Sequence, residues 1–250
     1  MTDTCIVCIQ SILIAAAGRF PAFLLHGINT MNKTEASIIT GGITHTSKMP
    51  CPSYSLPTVA CNTGFRMSQI KGSICSACYA NKGNYKKYQN NIEPAQHARL
   101  ESINLAIESA EYRAEWLSAM QVLIGENTFF RFHDSGDLQS VEHLELYAEL
   151  ARAMPDCRFW LPTREYGMVS AFHALHDIPD NLTIRLSAMF TDKPVKIPAS
   201  LSGVKGITAS NVHSKAGAVS GKECPAYTQG GQCRDCRTCW TDTAVSYPLH

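Results

Sequence analysis

Eight of the eleven cysteines in this chain fall into two sets whose spacing suits a metal better than a disulfide framework. The tighter set is Cys224, Cys233, Cys236 and Cys239, in CPAYTQGGQCRDCRTCW. Three of these stand at two successive CxxC spacings in a glycine-containing loop, which can wrap one small inorganic object while Cys224 closes the fourth corner. Thiolates suit iron–sulfur clusters and zinc alike. The continuous CxxCxxC run favours a cluster, because zinc fingers separate two CxxC pairs by a longer loop. The other set is Cys51, Cys61, Cys75 and Cys78, in a polar stretch without helical period. Cys75 and Cys78 read as ligands and Cys61 as the third; Cys51 is either a fourth ligand or a bystander. The distinction is chemical. Four thiolates close a site and make it structural or purely redox, whereas three leave one iron open to substrate or S-adenosylmethionine.

Disulfide-dense frameworks belong to much shorter secreted chains, so thiols in this number point to a reducing, cytoplasmic compartment. At 250 residues, 45% hydrophobic and 17% charged, the chain is globular in composition and long enough for one large α/β domain. A net charge of +1 excludes a global basic field but not a local patch. The apolar run CIVCIQSILIAAAG (5–18) has no basic residue ahead of it, and Gln10, Arg19 and Pro21 interrupt it, so it is neither a secretory signal nor a membrane span. Residues 1–30 are expected to be upstream read-through ahead of Met31, with a short helix or anchor as the alternative, and Cys5 and Cys8 a chance pair. Residues 31–250 then form a single cysteine-rich α/β domain. The abrupt ending SYPLH suggests a fragment.

Residues 40–90 read as loop ordered around a ligand. A helix follows over about 94–124, on the spacing of Ile103, Ile107, Ala110, Ala114, Leu117 and Ile124. Four strands are expected, near 128–137, 157–165, 181–189 and 205–213, with helices near 140–154 and 168–176 between them. Alternating strand and helix implies a parallel sheet with right-handed crossovers. In 182–187, Leu182, Ile184 and Leu186 alternate with Thr183, Arg185 and Ser187, so one side of that strand is polar. The fold class expected is α/β: a partial (β/α) barrel with a wet interior and cysteine-rich loops at its mouth, where the C-terminal strand ends gather.

Each strand ends in polar residues. His133, Asp134 and Arg185 are the expected catalytic groups, the first two as an acid–base or ligand-orienting pair, and a plain strand-end turn as the alternative. Arg185, mid-strand, requires an anionic partner if buried. Asp137, Ser187 and Ser210 are the expected cofactor contacts; Asp137 is either a turn residue or joins Asp134 on a cofactor ribose. Tyr79, Tyr85 and Tyr88 with Lys82, Lys86 and Lys87 form a basic-aromatic stretch suited either to a nucleic acid or to plain solvation. Cys157 opens an apolar strand and reads as core.

KMPCPSYSLP (48–57), CSACYANKGNY (75–85), RFHDSGD (131–137) and the closing CxxCxxCW resemble the phage "gene product 88" family over roughly residues 40–240. The CxxCYA element also resembles phage-borne proteins related to radical S-adenosylmethionine enzymes. The resemblance implies a phage-encoded protein of the host cytoplasm and supplies no reaction. The radical-enzyme motif CxxxCxxC is replaced here by Cys61, Cys75 and Cys78 with an expanded first gap. The expectation that follows is an enzyme with one or two [4Fe–4S] clusters and S-adenosylmethionine, modifying a nucleotide or nucleic acid, with no membrane partner. The contrasting expectation is a non-catalytic binding protein pinned by two four-cysteine zinc sites.

Overall fold

The computed structural model describes residues 31–46 and 48–249; the expectations for residues 1–30 fall outside them. The repeating unit is a short strand, apolar on one side, followed by a helix that covers that side. Strands β1 (Thr44–His45) and β2 (Pro52–Tyr54) come first, after helix α1 (Lys33–Thr40). Short helices α2 (Asn62–Ser68) and α3 (Gly83–Lys87) lead into α4 (Gln89–Glu108) and α5 (Ala110–Ile124). Then come β3 (Phe129–Phe132), α6 (Val141–Ala153), β4 (Arg158–Thr163), α7 (Tyr166–His173), β5 (Leu182–Ser187), β6 (Ile207–His213), β7 (Lys222–Glu223) and β8 (Val245–Pro248).

Among the described residues the strands form one eight-stranded sheet in the order β1-β2-β3-β4-β5-β6-β8-β7. All neighbouring pairs are parallel except β1 with β2. The sheet is open, with β1 and β7 at its edges, which is consistent with a partial barrel. Four strands escape the sequence because β1, β2 and β7 are two or three residues long and β8 follows the cysteine loop directly. The stretch 40–90 is not structureless, but its elements are too short to leave a period.

The helix expected over 94–124 is two helices. Ser109 takes an extended conformation (φ −125°, ψ 125°), and its hydroxyl accepts from the Tyr112 amide, capping α5. Ser109-Ala-Glu111 is the signal that helical periodicity alone overrides. One face of the sheet supplies Phe130, Phe132, Phe159, Leu161, Ile184 and Leu186 to a core shared with α4, α5, α6 and α7, and Cys157 lies within it as expected. Phe132 stacks on Tyr147 of α6 with centroids 3.8 Å apart.

The alternation in β5 is as read, but its polar side is not wet: all six residues are buried. The C-terminal cysteine segment covers that second face. Trp240 donates its indole N–H to the Phe130 carbonyl (2.8 Å) and meets Trp160 and Phe129 edge-on. Arg185, fully buried, donates Nη1 to the carbonyls of Ala209 and Thr243 (2.9 Å each). Its Nη2 reaches the carbonyls of Thr238, Cys239 and Thr241 at 3.0–3.2 Å. The anion expected beside Arg185 is thus replaced by main-chain dipoles, which take up both terminal nitrogens and leave only Nε without a partner.

Two predictions follow from this packing. Arg185→Leu leaves several buried carbonyls unpaired and should lower unfolding free energy by about 3–5 kcal/mol, with residues 224–243 becoming cleavable under limited proteolysis. An unchanged urea midpoint would contradict this. The other concerns His143 of α6, fully buried, whose ring burial drives down to about 3. The unfolded chain, with an ordinary imidazole near 6.5, therefore binds a proton that the folded chain refuses between those values. Stability is complete above the unfolded pKa and falls with pH below it, by about 1.4 kcal/mol per pH unit for this residue. His143→Asn should flatten that slope in urea titrations from pH 7 to 4.

Candidate functional site

Residues 58–82 fold back over the C-terminal ends of β3, β4 and β5. Thr63 donates both its amide and its hydroxyl to the Glu165 carboxylate (2.7 and 2.8 Å), just past β4. The Ile74 amide donates to the Met189 carbonyl (2.9 Å) and Ser73 bridges Phe190, just past β5. Tyr79 donates its hydroxyl to the Asp134 carbonyl and Tyr85 to the Asp134 carboxylate (2.9 Å), just past β3. These anchors bring Cys61, Cys75 and Cys78 together at the mouth of the sheet. A Cβ added to Gly64 would lie 2.9 Å from the Cys61 Cβ, 3.5 Å from the Cys61 sulfur and 3.9 Å from the Cys75 sulfur, so only a glycine fits this closely against those two thiols.

Burial pushes the Cys61 thiol up to about 12, and Asp137, Cys78 and Cys75 add to the rise against Arg164. Cys75 rises for the same first reason, opposed by Arg164. Asp137 itself is buried and rises to about 6, although it accepts from the Leu138 amide, the Thr163 hydroxyl and the Arg164 amide (2.8, 2.5 and 2.9 Å). Those bonds make it the residue that ties the end of β3 to the end of β4, at the edge of the three-cysteine pocket.

Cys51 does not join this group. It precedes β2, at the opposite end of the strand, where it packs with Trp160, Trp240, Met49, Phe129 and Cys239. Burial there pushes its thiol up to about 12; Arg131 opposes the rise and Cys233 reinforces it. The chain order that groups Cys51 with Cys61 is overridden because a strand, β2, separates them and carries them to its two ends.

The C-terminal four occupy one segment on the second face of the sheet. The Cys224 amide is held by the Ser246 carbonyl (2.9 Å) and the Cys233 amide by the Lys48 carbonyl (3.1 Å). The Cys239 sulfur lies 3.2 Å from the Tyr247 hydroxyl. Each of Cys224, Cys233 and Cys239 is raised first by its own burial and then by other thiols of the same four. Cys236 goes the other way: burial raises it, but the Thr238 hydroxyl (3.4 Å) and amide, with Lys222 and Arg237, bring it below the ordinary thiol range. Among the described residues no group of three or more His, Cys, Asp or Glu side chains is drawn in as closely as a bound metal ion would hold it.

The other expected site residues divide between the two faces. His133 has a left-handed backbone (φ 52°), and its ring turns into the helical layer against His143 and Tyr147. Burial, then His143 and Arg131, hold it well below the usual imidazole range. Its 4.0 Å approach to Asp137 is therefore a neutral contact and not an ion pair. Asp134 is buried beneath Tyr79 and Tyr85, with Oδ1 unpartnered. Ser187 and Ser210 are register neighbours on β5 and β6, hydroxyls 3.4 Å apart, towards the same strand ends as the three cysteines. His133, Asp134 and Arg185 thus do not share one cavity; only Asp134, Asp137, Ser187 and Ser210 stay at or near the mouth. Sequence reading missed Gly64, the Thr63–Glu165 clasp and Arg131, which lies over Trp160 at 4.4 Å. Alternation in FFRF places Arg131 off the helical side, and that was the available signal.

No curated protein and no solved structure matches this chain. A family model described as Gene product 88 matches residues 24–242, nearly the whole length, and the chain accordingly belongs to the Gene product 88 family.

Proposed function

We propose that this is an iron–sulfur protein of the host cytoplasm, akin to radical S-adenosylmethionine enzymes, acting on a nucleotide or nucleic acid. The observation that carries the reading is the gathering of Cys61, Cys75 and Cys78, without Cys51, beside Gly64 and over the C-terminal strand ends. Three half-buried thiols set side by side would repel one another as thiolates, and a bound cation offsets that cost. In this reading they would hold a [4Fe–4S] cluster, which would supply one-electron chemistry to S-adenosylmethionine. Ser187 and Ser210 are the hydroxyls nearest to hand for a cofactor ribose, and Asp137 holds the strand ends that frame the pocket. The partial barrel belongs to the same proposal. Cys239 packs both with Cys51, ahead of β2, and with Tyr247 of β8, strands far apart in the sheet order, as a curled sheet allows. Among the described residues no helix is long and apolar enough to cross a membrane, which agrees with a cytoplasmic setting.

Cys224, Cys233, Cys236 and Cys239 are proposed to hold a second, closed site. Zinc is the competing occupant there, favoured by the segment's structural duty: it carries the carbonyls that Arg185 binds and the Trp240 that seals the second face. Anaerobic purification separates the readings. Broad visible absorption with iron and sulfide in the protein supports clusters, and colourless zinc protein removes the radical-enzyme reading.

The ligand count gives a sharper expectation. Cys61→Ala, Cys75→Ala and Cys78→Ala should each lose the iron of the first site and S-adenosylmethionine cleavage, whereas Cys51→Ala should keep both and lose only packing against the two tryptophans. Iron quantitation and deoxyadenosine release on the four variants check it; loss of first-site iron in Cys51→Ala would overturn the three-ligand site.

A further inference from the structure

Between Glu35 and Glu93 the chain has no Asp or Glu, yet it carries Lys48, Arg66, Lys71, Lys82, Lys86 and Lys87. In a protein with 22 basic and 21 acidic residues overall, this is a sharp segregation. The last five of these cations are exposed, and none pairs with a carboxylate among the described residues. A merely solvated stretch of chain mixes the two signs; this one does not.

The same stretch carries large apolar side chains outward. Phe65 is 61% exposed, Tyr79 59% and Tyr88 49%, and Val59 and Ile70 are exposed beside them. The tyrosines are held, not loose. The Tyr79 and Tyr85 hydroxyls are both fixed on Asp134 with their rings edge to face at 5.9 Å, so the Tyr79 ring is anchored at its buried tip and open along its side. Lys87 lies over the Tyr88 ring at 5.2 Å. Cations interleaved with open aromatic faces are what an unpaired polynucleotide needs: phosphates meet lysines and arginine, and bases stack on rings. The ridge is also the segment that holds Cys61, Cys75 and Cys78 over the strand ends.

We infer that residues 58–92 form a docking ridge for single-stranded nucleic acid, laid across the three-cysteine pocket. Naming the bound strand as the substrate of that pocket rests on the iron–sulfur reading above; the binding itself does not.

The test is fluorescence anisotropy of the full chain with labelled oligo(dT) and oligo(U) of about 20 nucleotides, a duplex of equal length, and phosphatidylserine–phosphatidylcholine vesicles. Iron is quantified on the same preparations. The expected result is saturable binding of the single strands over the duplex, with the two oligonucleotides telling DNA from RNA. Log affinity should fall with log salt at a slope of about −0.7 for each phosphate contact. The double variant Lys86→Ala/Lys87→Ala should lower that slope, and Tyr88→Ala should weaken binding about tenfold. Lys205→Ala, ahead of β6 at the other end of the strands, should change nothing. All these side chains are exposed, and circular dichroism verifies their folding. Absence of single-strand binding, indifference to the ridge variants, preference for the duplex, or binding to vesicles alone would each overturn the inference. Single-strand binding by iron-free, colourless protein would keep the ridge and remove the iron–sulfur reading.

Discussion

The arrangement depends on one buried cation. Arg185 stands in the middle of β5, on the face that the helices do not cover, and its guanidinium meets carbonyls from β6 and from the loop between Thr238 and Thr243. A guanidinium has donors in a fixed planar fork and cannot be neutralised, so it specifies where those carbonyls must be. The C-terminal segment is therefore docked at one register on the sheet. Docked there, it places Trp240 against Trp160 and Phe129, and it sets Cys239 beside Tyr247. The polar side of a strand, a liability in a two-layer protein, becomes the attachment surface for the second cysteine set.

Sequence periodicity finds the helical layer well because every element there has one apolar side and enough length to repeat it. It finds α6 and β5 nearly to the residue and joins α4 to α5 only by passing over Ser109. It fails for the second face for a physical reason. Thr183, Arg185 and Ser187 read as the polar side of a wet interior, and nothing local says that a segment some fifty residues later will supply hydrogen bonds to bury them. The same blindness sent His133 to the wrong face. Its φ of 52° turns the ring into the helices, and a left-handed histidine is not something that RFHDSGD announces.

The cysteines show where spacing is informative and where it misleads. Within a turn, spacing is geometry: Cys75 and Cys78 flank one 3₁₀ turn, and Cys233, Cys236 and Cys239 lie in one tight loop, so each set stays together. Across a strand, spacing is not geometry. β2 carries Cys51 to one end and leads the chain to Cys61 at the other, and ten residues of separation in sequence become opposite ends of the sheet.

That division bears on what each proposed site can do. Cys61, Cys75 and Cys78 lie in a segment that hangs on hydrogen bonds to strand ends, with Gly64 packed close against Cys61 and Cys75. Their surroundings include the buried carboxyl of Asp137 and the guanidinium of Arg164, so a ligand entering there meets both an acid and a cation. The C-terminal set is different. It lies on the sheet with Cys239 against Tyr247 of β8, and its main chain is held by Arg185, Lys48 and Ser246. A segment whose main chain is held at that many points is suited to a supporting site. If both sets bind metal, reactivity therefore belongs at the strand ends and rigidity on the second face. The placement of β2 and Arg185 is what separates the two sets.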